Sequence, residues 1–170
     1  MSNMLIANNQ IGSGWVTCPI SIAHGFQPVH IYNCTIAGNI SGTTFTRIFG
    51  YGDVRNCIFY NPQSGADLSM DNQWYNAQAQ TNVEAEINVA NCLFSDNSFN
   101  IDLPALATLT DNIMNGNPIF RGSIMDSLSI NDPMYYYLYS TSPCIDIGLA
   151  DTTGMYLPAT DLNGNPRINN

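Results

Sequence analysis

The amino-acid sequence predicts an all-β fold, a right-handed parallel β-helix of about five coils closed by an irregular C-terminal capping segment. Three observations lead there. Short segments built on an Asn-Cys pair recur along the chain, as in "IYNCTIAGN", "VRNCIFYNP" and "VANCLFSDN". Apolar residues around them follow the period of two that marks a half-buried strand, and helical stripes are nearly absent. Gly and Asn punctuate the chain throughout, in "NISG", "GYGD", "NGNP" and "LNGNP".

The repeat reads as an apolar residue, any residue, Asn or Asp, a small or medium residue, any residue, then Ile, Phe or Met. Copies begin at Met1, Ile31, Val54, Val89 and Leu109, spaced 30, 23, 35 and 20 residues apart. Units of roughly this length, each holding a strand in the same local setting, are the signature of a solenoid in which like stacks on like, about 4.8 Å per step. Three inward ladders are expected: Ile31, Val54, Val89 and Leu109; Cys34, Cys57 and Cys92; and Ile36, Phe59, Phe94 and Met114. Asn33, Asn56 and Asn91 are expected at the corners between strands, because Asn tolerates a left-handed backbone and its amide can bond the amides stacked on it. The long third interval implies an inserted loop at about 62–88, on the face where solenoids carry binding loops. A smaller excursion is expected around Trp15 in the first interval. Coils then occupy 1–120 and the capping segment 121–170.

Composition limits the functions. The chain has 170 residues, enough for one ordinary core, and only 10% of them are charged. With four Arg, no Lys and a net charge of -9, it repels phosphate backbones, so no nucleic-acid partner is expected. No apolar run reaches the roughly 20 residues of a membrane span, and "MSNMLIANNQ" lacks the basic and apolar regions of a signal peptide. Either a cytosolic chain or a piece of a longer exported one fits this pattern.

The coils "NCTIAGN" and "NCIFYN", followed by "NGNPIF", "DPMYYYLYSTSPCIDIGLAD" and "DLNGNPRI", resemble the C-terminal end of secreted bacterial right-handed parallel β-helix proteins of the pectate-lyase-like superfamily. The tail motifs, at 117–120, 136–148 and 161–167, are the more specific part. Family members usually carry more coils before this point and continue past the closing Arg into a surface-anchoring domain. The resemblance implies a secreted or cell-surface location, as part of a longer precursor. For a lyase it would imply Ca2+ held by acidic residues near a Lys or Arg base.

The residues offer few catalytic candidates. Arg47 and Arg55 flank "IFGYGD" with Asp53 between them, and a surface ion pair at a turn is the plainer reading of all three. Asp67 with Asp71, and Asp53 with Asp96, are conceivable carboxylate pairs for sugar hydrolysis, yet eleven Asp scattered through turns make such coincidences ordinary. His24 and His30 lack a third ligand nearby, so no metal site is expected, although Ca2+ remains conceivable on so acidic a chain. The Cys ladder reads as small-residue packing, and a Cys18 to Cys144 disulfide has no support in the spacing. Trp74, Tyr75, Asp71 and Asn72 in the long loop have the composition of a sugar-contacting patch, with a loop pinned by its own Trp as the plainer reading. The expected function is a non-catalytic scaffold that contacts polysaccharide. A polysaccharide lyase or glycoside hydrolase fragment, and a self-assembling subunit pairing its open ends with further coils or a second copy, are the alternatives.

Overall fold

A computed structural model of the chain describes residues 1–10, 20–23, 29–41, 44–71, 73–76, 80–95, 99–101, 106–125, 127–155, 157–161 and 164–166. Its strands are β1 (Leu5–Ala7), β2 (Ile20–Ala23), β3 (Val29–Tyr32), β4 (Thr35–Ala37), β5 (Thr44–Phe49), β6 (Gly52–Arg55), β7 (Ile58–Tyr60), β8 (Ala66–Asp71), β9 (Gln73–Asn76), β10 (Thr81–Glu84), β11 (Ile87–Ala90), β12 (Leu93–Phe94), β13 (Phe99–Ile101) and β14 (Ala107–Thr110). Twelve of them form three four-stranded sheets whose neighbours are all parallel. The first sheet has the order β14-β11-β6-β3, the second β1-β4-β7-β12 and the third β13-β8-β5-β2. From β3 onward the chain visits first, second and third sheet in a fixed cycle. The arrangement is compatible with a parallel β-helix.

Each repeat is a strand, a corner and a second strand, and the corner explains the Asn. Asn3, Asn33, Asn56, Asn91 and Asp111 all have φ between 51° and 54°, the left-handed region that costs most side chains energy and costs Asn least. The corner amides also tie one repeat to the next. Asn33 N donates to Arg55 O at 3.0 Å, and Ile58 N to Cys34 O at 2.9 Å.

The register follows the sequence alignment residue for residue. Ile31 pairs with Val54, Val54 with Val89 and Val89 with Leu109, while Ile6, Ile36, Phe59 and Phe94 form one row of the second sheet. These rows build the core. Ile31, Val54, Val89, Ile36, Phe59 and Phe94 are fully buried, and the rings of Phe59 and Phe94 stack with centroids 5.2 Å apart. Cys34, Cys57 and Cys92 are buried free thiols in the same cluster. Cys144 is also free, and Cys18 lies outside the described residues.

Two ladder positions depart from the expectation of burial. Leu109 is 51% exposed and Met114 41%. Both occupy the last rung, and no described strand pairs with the outer edge of β14.

The inserted segment holds the single antiparallel pair among the described strands. β9 and β10 run from Gln73 to Glu84, pairing Asn76 with Thr81 and Gln73 with Glu84. The excursion expected around Trp15 falls on residues outside the description.

Beyond residue 117 the chain is irregular, with short 3-10 turns at Arg121–Ser123 and Pro133–Tyr136. Asp132 caps the second by accepting from Met134 N at 2.8 Å. The segment fastens itself to the sheets through Phe120, whose ring meets Tyr60 and Tyr136 edge-on. Gly122 is required there, since a Cβ would lie 1.9 Å from the Tyr135 ring. Further along, Leu149 N donates to Asn56 Oδ1 at 2.9 Å and Asn91 Nδ2 to Ile147 O at 2.8 Å, so the corner Asn row also holds the C-terminal segment.

Candidate functional site

Strand alternation decides which side chains the first sheet turns away from the core, although Tyr32 and Ala90 on that face are still buried, each 6% exposed. Because Ile31, Val54 and Val89 point into the core, the residues flanking them point out. Register then aligns His30, Asp53, Asn88 and Thr108 in one row and Tyr32, Arg55, Ala90 and Thr110 in the next.

These rows form a connected polar network centred on Asp53. Its carboxylate accepts from Arg55 Nε at 2.7 Å, from Tyr32 Oη at 2.5 Å and from Asn88 Nδ2 at 3.3 Å. Tyr32 gives its hydroxyl proton to Asp53, so its oxygen is left to accept from His30 Nδ1, 2.7 Å away. His30 Nδ1 stands 3.7 Å from Asp53 Oδ2, close enough for an ion pair when the imidazole is protonated. The bond to Asp53 raises the Arg55 pKa above its ordinary value. The Asp53 side chain is only 16% exposed.

This geometry argues about chemistry. A general base needs a lone pair aimed at the substrate proton. Asp53 instead spends its oxygens on three donors, which holds it fixed. The network is suited to present a rigid hydrogen-bonding surface. On either side of it lie shallow grooves, one of about 540 Å³ bordered by Gly52, Asn88 and Thr108, the other of about 420 Å³ bordered by Arg55, Asn88 and Thr110. Asn88 belongs to both, so the two depressions flank one continuous face.

The residues singled out by sequence do not gather at one place. Arg55 and Asp53 meet on the first sheet. Arg47 lies on the third, where its Nε donates to Asp71 Oδ2 at 2.7 Å, a second guanidinium nitrogen meets the same oxygen, and the group sits 4.7 Å over the Phe49 ring. Asp67 and Asp71 share β8 but take different partners: Asp67 is fully buried and bonds Asn61 and Ser95. Trp74 and Tyr75 occupy β9, the first strand of the antiparallel pair. Their side chains, together with Asn72, Asp96 and His24, lie outside the description. Tyr32 and Asn88 were missed by sequence reasoning. The signal was present, because each immediately neighbours the first apolar position of an aligned repeat, as Asp53 and Arg55 do.

Among the described residues no three His, Cys, Asp or Glu side chains stand together as a metal-binding group, and no helix is long and apolar enough to cross a membrane. Compared with protein-family models, curated proteins and solved structures, the chain matches none.

Proposed function

We propose that the chain is a right-handed parallel β-helix segment of an exported, cell-surface bacterial protein, acting as a non-catalytic scaffold that contacts polysaccharide along the outer face of its first sheet. The cyclic order of three parallel sheets supports the β-helix reading, and parallel crossovers are overwhelmingly right-handed. One observation carries the functional reading: Asp53 is held by Arg55, Tyr32 and Asn88, and Arg55 and Asn88 border the adjoining grooves. Rows of fixed donors and acceptors, repeated strand by strand, match the repeating hydroxyls of a sugar chain. The net charge of -9 favours a neutral polymer over an acidic one.

Affinity gel electrophoresis in neutral polysaccharides tests this. Retardation that weakens in Asn88→Ala and Arg55→Ala variants, with no new reducing ends and no unsaturated product with or without Ca2+, is the expected result. Turnover abolished by Asp53→Asn would replace the scaffold with a lyase or hydrolase, and the absence of retardation in every gel would remove the glycan role.

A second reading rests on Leu109 and Met114, which continue two buried ladders yet are exposed. A further strand, from a second copy or from other coils, would cover them, and self-association that Leu109→Asp abolishes would support it.

A further inference from the structure

A second cleft lies away from the Asp53 row. It is a cavity of about 880 Å³ between the Leu5 and Thr35 edge of the second sheet and the C-terminal segment at Tyr136, Tyr137 and Asp161, with Asn3 and Asn33 in its wall. That volume falls in the range of small-molecule sites. We infer that this cleft binds a short neutral saccharide, at a site separate from the face proposed above.

Three features select that chemistry. Tyr136 and Tyr137 bring aromatic rings to the cleft, and the Tyr136 ring is held from behind by Phe120 and Tyr135, at centroid distances of 5.4 Å and 5.1 Å. A ring fixed in this way is a ready surface for the C–H face of a sugar. The second feature is an open rung in the corner Asn row. Asn56 Nδ2 donates to Asn33 Oδ1 at 3.2 Å, but the next step is not made, and Asn33 Nδ2 and Asn3 Oδ1 are both buried without a partner. Leaving a buried donor and a buried acceptor unpaired costs free energy. A hydroxyl donates and accepts at once, so a side-chain rotation that turns both groups to the cleft lets a single sugar hydroxyl answer them. The third is charge. Among the described residues no Arg or His lines the cleft, and Asp161 is the one acid, already accepting from Asn165 N at 2.9 Å and Asn165 Nδ2 at 3.2 Å. The described lining offers an anionic ligand no counter-charge, and its single carboxylate does not build a cation site.

Saturation-transfer NMR and calorimetric titration with maltotriose, cellotriose and xylotriose test the inference. At least one trisaccharide is expected to bind the wild-type chain and to shift the amides of Leu5 and Thr35. Tyr137→Ala and Asn33→Gly, the latter keeping the left-handed corner available, should each weaken it by about tenfold or more, while Glu84→Gln, exposed on β10, leaves it unchanged. The amide shifts of the wild-type chain decide the matter even where a variant fails to fold. Three results overturn the cleft: silence from all three trisaccharides, binding that shifts only the amides of Asp53 and Asn88, and binding that Arg55→Ala abolishes but the cleft variants keep. Retardation in polysaccharide gels with no trisaccharide binding removes the cleft and spares the outer-face reading. Trisaccharide binding in the cleft with no retardation does the reverse.

Discussion

The repeated sheets and the C-terminal segment use similar residues to opposite effect. Ile31, Val54 and Val89 are all 0% exposed, whereas Ile124, Ile130 and Ile145 are 55%, 47% and 39% exposed. Inside the sheets these apolar residues stack on apolar counterparts in neighbouring strands, so burial is a property of the stack. The C-terminal segment has no such template. It is held at points: Phe120 between two tyrosines, Ser142 Oγ on Pro118 O, and Leu149 and Ile147 on the corner Asn row. Hydrophobic burial therefore dominates the first region, whereas directional bonds and a few buried anchors such as Phe120 and Met155 position the second.

The difference is broken most severely at a stacked ring. Phe94→Ala removes a fully buried side chain from its contact with Phe59, and is expected to cost about 3 to 5 kcal/mol in chemical denaturation. A cost below 1 kcal/mol would mean that the stack is not the source of stability.

Next in size is a polar rung inside the stacked region. Asn9 Nδ2 donates to Asn39 Oδ1, Asn39 Nδ2 to Asn61 Oδ1 and Asn61 Nδ2 to Asp67 Oδ1, at 2.9, 2.9 and 3.0 Å. Ser95 N and Oγ both donate to Asp67 Oδ2 at 2.8 Å. Asp67→Asn turns one acceptor into a donor facing Ser95 N, and should cost about 1 to 3 kcal/mol at neutral pH. Burial raises the Asp67 pKa above its usual 3.8 despite these donors. A folded-state value above the unfolded one contributes stability that is fully present below 3.8 and is lost as pH rises through the folded value. The penalty of Asp67→Asn should therefore widen on acidification from neutral pH, and a penalty that shrinks would reverse the assigned shift.

A smaller effect separates the two roles of the corner Asn. Asn56 holds φ 54° and accepts from Leu149 N. Asn56→Gly keeps the backbone and loses the anchor, so hydrogen exchange at Leu149 should accelerate. Asn56→Ala adds strain of about 1 to 2 kcal/mol to the same loss. Equal stabilities for the two variants would deny the left-handed corner its importance. At the bottom of the scale, Ile130→Ser in the C-terminal segment should stay within about 0.5 kcal/mol of wild type in the same denaturation assay.

The contrast also explains what the sequence disclosed. The corner Asn, Cys and flanking apolar positions were legible because one local rule, a left-handed residue between two short strands, recurs at each stacked level. Register followed from aligning those corners. The third sheet was not legible, since "ISIA", "TFTRIF", "ADLSMD" and "FNI" share no marker residue. The Asn39, Asn61 and Asp67 row also escaped notice. Asn39 stands three residues after Ile36 and Asn61 two after Phe59, so a fixed-spacing alignment misses their stacking. Arg47 and Arg55 looked like neighbours because eight residues separate them, but the chain passes from the third sheet to the first in that interval. Proximity in a stacked fold is set by the aligned position in the repeat, which is why Tyr32 and Asn88 join Asp53 from 21 and 35 residues away.

In-register stacking underlies the fold, and backbone NMR tests it most directly. Cross-strand nuclear Overhauser contacts should join Ile31 to Val54 and Val54 to Val89 in the parallel pattern, with none between Ile31 and Val89. A one-residue slip, an antiparallel pattern, or direct contact between Ile31 and Val89 would contradict it.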